Sequence, residues 1–302
     1  MKLSAKTILL ALVLSLATAC VRTSSSGLED CEYPLRLRFC YTYNREGRDL
    51  FGEEVPCVAL RLYDSSGRLV RARDVKASEI GPDGSFMWSA PQGRFTLVTW
   101  GGVESRCVLD AAPALADAKL SLPDVAGRVT QAREHVWHCV TGDILVNGTL
   151  TPVYEVDMHK VSNDVCVGVS SADGMPLERT PAAQIRAANN IYDFAGQIHP
   201  SAYEVSYLPA DPIQTAEGGA RLDFTTLGLS RHDRSALKVE YGETTIYDGG
   251  LTELIAMQPD IIFDLDDEFF LDFEVGRAEG DNLSVGIKVN GWHVRDYDVP
   301  LR

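Results

Sequence analysis

The sequence predicts an all-β protein built as two tandem β-sandwich domains behind a lipoprotein signal peptide. Three observations carry that prediction. Apolar and polar residues alternate with period two along most of the chain, as in half-buried strands. Gly-, Pro- and Asp-rich turns separate the short alternating runs. The first twenty residues form an export signal that ends on a cysteine. The 302 residues are 45% hydrophobic and 24% charged, enough apolar material for about two domains and incompatible with a mainly disordered chain.

The signal comes first in the chain. Met1 to Lys6 is a short basic region, and Ile8 to Leu16 is an apolar stretch broken only by Ser15. Small residues follow, Ala17, Thr18 and Ala19, and then Cys20. The apolar stretch is too short to cross a bilayer as a mature helix. Leu16 to Cys20 resembles the lipobox of bacterial lipoproteins, which implies cleavage between Ala19 and Cys20 and acylation of the Cys20 thiol and its new amine. Two or three acyl chains, at about 0.8 kcal/mol per buried methylene, hold a protein to a membrane where one does not. Val21 to Gly27 reads as a polar tether. The expected layout is therefore a signal peptide at 1–19, a lipidated N-terminus and tether at 20–31, and sandwiches at 32–152 and 153–302. No later segment reaches the about 18 apolar residues a membrane helix needs, so lipid is the expected membrane attachment.

The first sandwich opens on Leu35, Leu37 and Phe39, which alternate with Arg36, Arg38 and Cys40. Val58, Leu60 and Leu62 repeat the pattern before the Asp64–Gly67 turn, where Asp and Gly supply a side-chain bond and a positive φ. Gly81–Gly84 is a second turn. Arg94 to Trp100 forms a strand stopped by Gly101 and Gly102, and Ile144 with Val146 forms another before Asn147-Gly148. Ala111 to Ala126 has no clear pattern. From Pro152 alternation resumes at Tyr154/Val156/Met158, Val165/Val167/Val169, Tyr203/Val205/Tyr207, Leu237/Val239, Phe269/Leu271/Phe273/Val275 and Leu283/Val285/Ile287/Val289. Helix is expected only at Ala182–Ala188 and Leu251–Met257.

Charge and cysteine content narrow the function. Net charge is −15, and residues 1–19 carry two lysines and no acid, so the mature chain stands at −17. Such a surface repels phosphate backbones, and no basic patch interrupts it, so nucleic acid is not an expected partner. Six cysteines besides Cys20 remain: Cys31, Cys40, Cys57, Cys107, Cys139 and Cys166. An even number in an exported chain makes them disulfide candidates, with the connectivity left open. Five precede residue 152 and only Cys166 follows it, so full pairing predicts a bridge between the domains, with Cys139–Cys166 the shortest crossing loop.

Catalytic motifs are missing: no Gly-rich nucleotide loop, no zinc-protease helix and no nucleophile elbow. His135, His138 and Cys139 have no carboxylate pair beside them, so a structural role is the expectation and no metal is predicted. Asp264, Asp266, Asp267 and Glu268 form the densest acidic run, but Leu265 interrupts it and no glycine follows as a calcium loop requires. It reads as a solvated strand end or turn. Trp88, Trp100, Trp137 and Trp292 are expected in cores or at edges, a sugar-stacking role being the less favoured use. Asn147-Gly148-Thr149 and Asn282-Leu283-Ser284 match a eukaryotic glycosylation pattern that a lipobox makes irrelevant. No cofactor is implied.

Several separated stretches together resemble one family. These are Leu35–Asn44 behind Cys31, Val58–Gly67, Gly93–Gly102 with its Trp-Gly-Gly ending, Phe263–Phe269 and Val289–Val294. They resemble the FimB-like fimbrial anchor lipoproteins at the base of type V fimbriae in Bacteroidetes-type bacteria. The resemblance implies two transthyretin-like Greek-key sandwiches, no enzymatic activity, and a lipid-anchored position on the outer membrane, exposed at the fimbrial base. It implies fimbrial shaft or accessory subunits as partners, met through β-strand pairing, and an influence on fimbrial assembly and length. The alternative is a surface glycan-binding lipoprotein, which would display a coplanar exposed pair of tryptophans. An enzyme ranks third and would need perturbed carboxylates in a deep pocket.

Overall fold

The structure, a computed structural model, describes residues 31–104, 107–110, 112–129, 134–148, 151–209 and 212–302. Ala19, Cys20 and the rest of the signal and tether lie outside the described residues. In the first sandwich, β1 (Glu32–Cys40) sits between β4 (Ser85–Pro91) and β10 (Val153–Asp157). The companion five-stranded sheet runs β11 (His159–Lys160), β9 (Trp137–Val146), β5 (Gly93–Gly101), β2 (Cys57–Asp64) and β3 (Leu69–Lys76). Period-two alternation puts Leu35, Leu37 and Phe39 of β1 against Leu60 and Leu62 of β2, Leu97 of β5 and Trp137 of β9 in one core. A single turn, α1 (Phe51–Glu54), adds Phe51, which stacks on Phe39 with ring centroids 5.4 Å apart.

The second sandwich has a six-stranded sheet of β16 (Ile213–Gln214), β17 (Ala220–Leu227), β12 (Ser162–Ser171), β20 (Glu268–Arg277), β21 (Asn282–Val289) and β22 (Trp292–Pro300). It shares a core with the sheet of β19 (Thr244–Gly250), β18 (Ala236–Tyr241), β13 (Pro181–Ala187), β15 (Val205–Tyr207) and β8 (Arg128–Val129). A small sheet of β14 (Ile191–Asp193), β7 (Lys119–Ser121) and β6 (Val108–Leu109) completes the fold. The chain is all-β, with α1 and α2 (Leu251–Ile255) as its α-helical turns among the described residues. Asn290 and Gly291, at φ 46° and 78°, make the two-residue turn between β21 and β22, as a primed hairpin turn requires. Gly84 is equally obligatory: at φ 76°, a Cβ there would lie 2.2 Å from the Phe39 carbonyl oxygen.

Several expectations need correction. Ala182–Ala188 is not helical: Ala183, Ile185 and Ala187 of β13 alternate into the core, paired to β18 and β15. Alanine's helix propensity is a fraction of a kcal/mol per residue and yields to two ladders of strand pairing. Leu251–Met257 does begin as helix, with Leu251, Leu254 and Ile255 buried. The boundary at 152 lies too early, because β10 pairs in parallel with β1 and β11 pairs with β9. The weakly patterned stretch after Ala111 feeds the second sandwich, where β7 pairs with β14 and β8 pairs in parallel with β15. Parallel pairs also join β12 to β20, so the sheets mix parallel and antiparallel pairs.

Candidate functional site: strand edges and the junction between the sandwiches

A protein made of sheets offers a partner its strand edges, whose outward N–H and C=O groups seek hydrogen bonds. On one side of the first sandwich the edges of β3 and β4 are joined through side chains. Arg71 of β3 and Ser89 of β4 both bond Glu32, and the Arg73 guanidinium lies 4.9 Å from the Phe86 ring centroid. Ser89 and Arg71 hold the Glu32 carboxyl below the usual carboxylate range. The start of β3 is covered, since Leu69 N–H donates to Pro113 O at 2.8 Å. On the other side Tyr154 spans the seam: its hydroxyl accepts from Leu145 N–H at 2.8 Å and donates to Leu145 O at 3.0 Å.

The second sandwich repeats the tyrosine device. Tyr297 of β22 donates its hydroxyl proton to Ile246 O on β19, and burial raises that phenol to about 12. The start of β19 is also occupied, because Thr244 Oγ1 accepts from Arg302 N–H at 2.9 Å. By contrast β22 itself, nine residues long and outermost in its sheet, receives no backbone bond on its outer side among the described residues.

The acidic run predicted as a solvated turn lies at the junction and is occupied by cations of the first sandwich. Arg45 grips Asp266 with two bonds, of 2.5 and 2.7 Å, and reaches Asp260 O at 2.7 Å. Burial works to raise the Asp266 carboxyl, but the bonds from Arg45 and Ile262 N–H outweigh it and hold the group low. Lys160, 9% exposed at its side chain, contacts Asp267 at 2.5 Å and Glu54 at 3.8 Å, beneath the Trp137 ring. This pairing needed residues more than a hundred positions apart, so no local signal could have revealed it.

His138 also sits at the junction, buried and tilted against Trp100 at 4.3 Å. Its Nε2 lies 3.0 Å from Phe194 O, which can only accept, so that nitrogen carries the proton. Burial pushes the imidazole down to about 4. His135 approaches Asp164 at 3.3 Å instead. Among the described residues no group of three or more His, Cys, Asp or Glu side chains could hold a metal.

The cysteines do not form the expected crossing bridge. Cys139 and Cys166 are free thiols in different sheets, as are Cys40 and Cys57 within the first sandwich. Cys139 lies by Thr141 and Asp157, whereas Cys166 lies by Arg221, Asp223 and Asp272, two sets with no member in common. Counting parity ignored that β9 and β12 carry these residues in separate layers. Cys31 is exposed just ahead of β1, and Cys107 is buried. Burial lifts the Cys40 and Cys166 thiols to about 12. Of the tryptophans, Trp88, Trp100 and Trp137 are buried and Trp292 is 57% exposed, so no exposed pair exists. Among the described residues no helix is long and apolar enough to cross a membrane.

Two fused sandwiches with managed edges define an all-β protein of the double-sandwich class. The chain belongs to the family of fimbrillin-A associated anchor proteins Mfa1 and Mfa2, whose model matches residues 28–298. Among solved structures, the fimbrial anchor protein Mfa2 from Porphyromonas gingivalis is similar at TM-score 0.73 and 18% identity, over 88% of this chain and 100% of that one. A candidate adhesin from Bacteroides ovatus is similar at TM-score 0.74 and 18% identity, over 87% and 95%. A candidate polysaccharide-binding protein from Bacteroides thetaiotaomicron gives the same score and identity, over 87% and 98%. No curated protein matches.

Proposed function

We propose that this chain is a non-enzymatic lipoprotein that fixes fimbriae to the outer membrane through acyl chains on Cys20, and that influences their assembly and length. It meets shaft or accessory subunits by β-strand pairing. The observation that carries this reading is a match to the anchor family from residue 28 to residue 298, starting just behind a lipobox. The carboxylates pushed upward by burial fit no catalytic site: Asp272 lies against Gly168 on a sheet face, and Glu54 sits beside Lys160. The glycan-binding alternative loses its expected platform with three tryptophans inside cores.

Cys20→Ser tests the reading. Serine cannot take part in the thiol acyl chemistry, and the buried residues of the two described cores begin at Leu35. The variant is expected to fold normally, to leave the outer membrane fraction, and to release fimbriae into the medium or change their length. A variant still embedded, with normal filaments by electron microscopy, would overturn both the lipid assignment and the anchor role. Unaltered filaments with reduced polysaccharide binding would favour the alternative.

A further inference from the structure

We propose that β22 is a docking edge for one extended, basic strand of a partner protein, which adds beside β22 while β22 stays paired to β21. The anchor reading supplies only the biological owner of that strand. The register shows which backbone groups are on offer. Leu301 N–H donates to Asp281 O at 2.8 Å, so Leu301 bonds inward to the β21 side. Antiparallel pairs alternate between bonded and non-bonded. Val299, Tyr297 and Arg295, opposite Leu283, Val285 and Ile287, therefore spend their backbone bonds on β21. Asp298 and Asp296 turn N–H and C=O outward, and so does His293 on the far side of the irregularity between Ile287 and Lys288. Pro300 shares the outward parity but has no N–H to offer, which ends the edge there.

Side chains then select what can add. Asp296 and Asp298 stand beside Gly286 and Ser284 on the outer face, while Glu274, one strand further in, is already paired with Lys288 at 2.6 Å. His293 pairs with Asp296 at 3.0 Å, while no ion pair reaches Asp298 among the described residues. A second copy of β22 would bring aspartates against aspartates and is repelled, whereas a strand carrying Lys or Arg at alternate positions is attracted. On the inner side Val294, Tyr297 and Val299 pack on the core but stay partly exposed, so apolar residues at the other positions of the added strand would extend that core. The remaining edges fit less well. Tyr297 and Arg302 occupy β19, the 113–115 segment covers the start of β3, and β16 is two residues long.

The test uses the full mature chain and two ten-residue synthetic peptides, one alternating lysine with valine and one alternating glutamate with valine. Binding is read from the fluorescence of Trp292, which begins β22 and is the exposed tryptophan. The lysine peptide should bind and the glutamate peptide should not. Asp298→Pro and Asp298→Asn remove the same charge, but only proline removes the outward N–H, at a position where the ladder to β21 does not use it. Asp298→Pro should bind about tenfold more weakly than Asp298→Asn. Hydrogen exchange on the unmutated protein should show the peptide protecting the amides of His293, Asp296 and Asp298. Equal binding by the two variants, or no protection, would overturn the edge. A Ser284→Cys/Asp298→Cys disulfide should leave binding at the Asp298→Asn level; loss restored by reduction would mean that β22 must leave its sheet, which also overturns the proposal. None of these outcomes touches the Cys20→Ser experiment, so the anchor reading stands or falls separately.

Discussion

The two sandwiches differ in what stands behind their central sheets. The first keeps a private core between its sheets, from Leu35 of β1 to Met158, made by strands of its own unit. The second draws on the first: its core includes Ala59, Tyr63, Val98 and Trp100, from the back of β2 and β5. These two strands are therefore apolar on both faces, with Leu60, Leu62 and Leu97 turned to one core and Tyr63, Val98 and Trp100 to the other. A sheet buried on both faces behaves as a shared wall. A pull applied to one sandwich then passes to the other through packed side chains and not through a linker.

The largest expected effect tests that wall. Trp100→Ala removes a side chain 1% exposed from the interface of the two cores and should cost about 3–5 kcal/mol. Because the wall is shared, denaturant unfolding followed by circular dichroism should remain one transition, shifted to lower denaturant. Two transitions, only one of them moved, would show the sandwiches to be independent.

The junction ion pairs sharpen the comparison. Asp267→Ala strands the Lys160 ammonium in a buried place with Glu54 at 3.8 Å, and should cost about 2–3 kcal/mol. Arg45→Ala should cost no more than about 1 kcal/mol, since Arg45 is half exposed at the rim. Thermal unfolding of both variants checks the order; a larger loss at Arg45 would mean that the rim contact governs the junction.

His138 gives a pH signature to the same wall. Its folded-state value of about 4 is below the ordinary 6.5, so the unfolded chain binds the extra proton first. Stability from this group is intact above pH 6.5 and falls as pH drops through the window to 4, by about 3 kcal/mol when complete. His138→Gln should flatten the slope of unfolding free energy against pH in that window. An unchanged slope would assign the acid sensitivity to carboxylates instead.

Much of this was legible because strand alternation is local. Leu35/Leu37/Phe39 and Leu283/Val285/Ile287 announce strands wherever they pair, and the helix at Leu251 needed only its own periodicity. Ala182–Ala188 misled for the opposite reason: alanine is silent about faces, and neighbours decided its conformation. Of the candidate site, the acidic run was visible as composition, but its partners Arg45 and Lys160 were not.

By itself the sequence determined the all-β class, the turns and a surface charge hostile to polyanions, because each depends on a few consecutive residues or on their sum. Tertiary structure decided where the first sandwich ends, which strands lie parallel, which cysteines stay apart and which edge remains open. Those properties depend on which strands come to lie side by side, and a strand's pattern specifies its buried face without naming its neighbour. The neighbour of β1 turned out to be β10, more than a hundred residues away, and β22 has no neighbour on its outer side among the described residues.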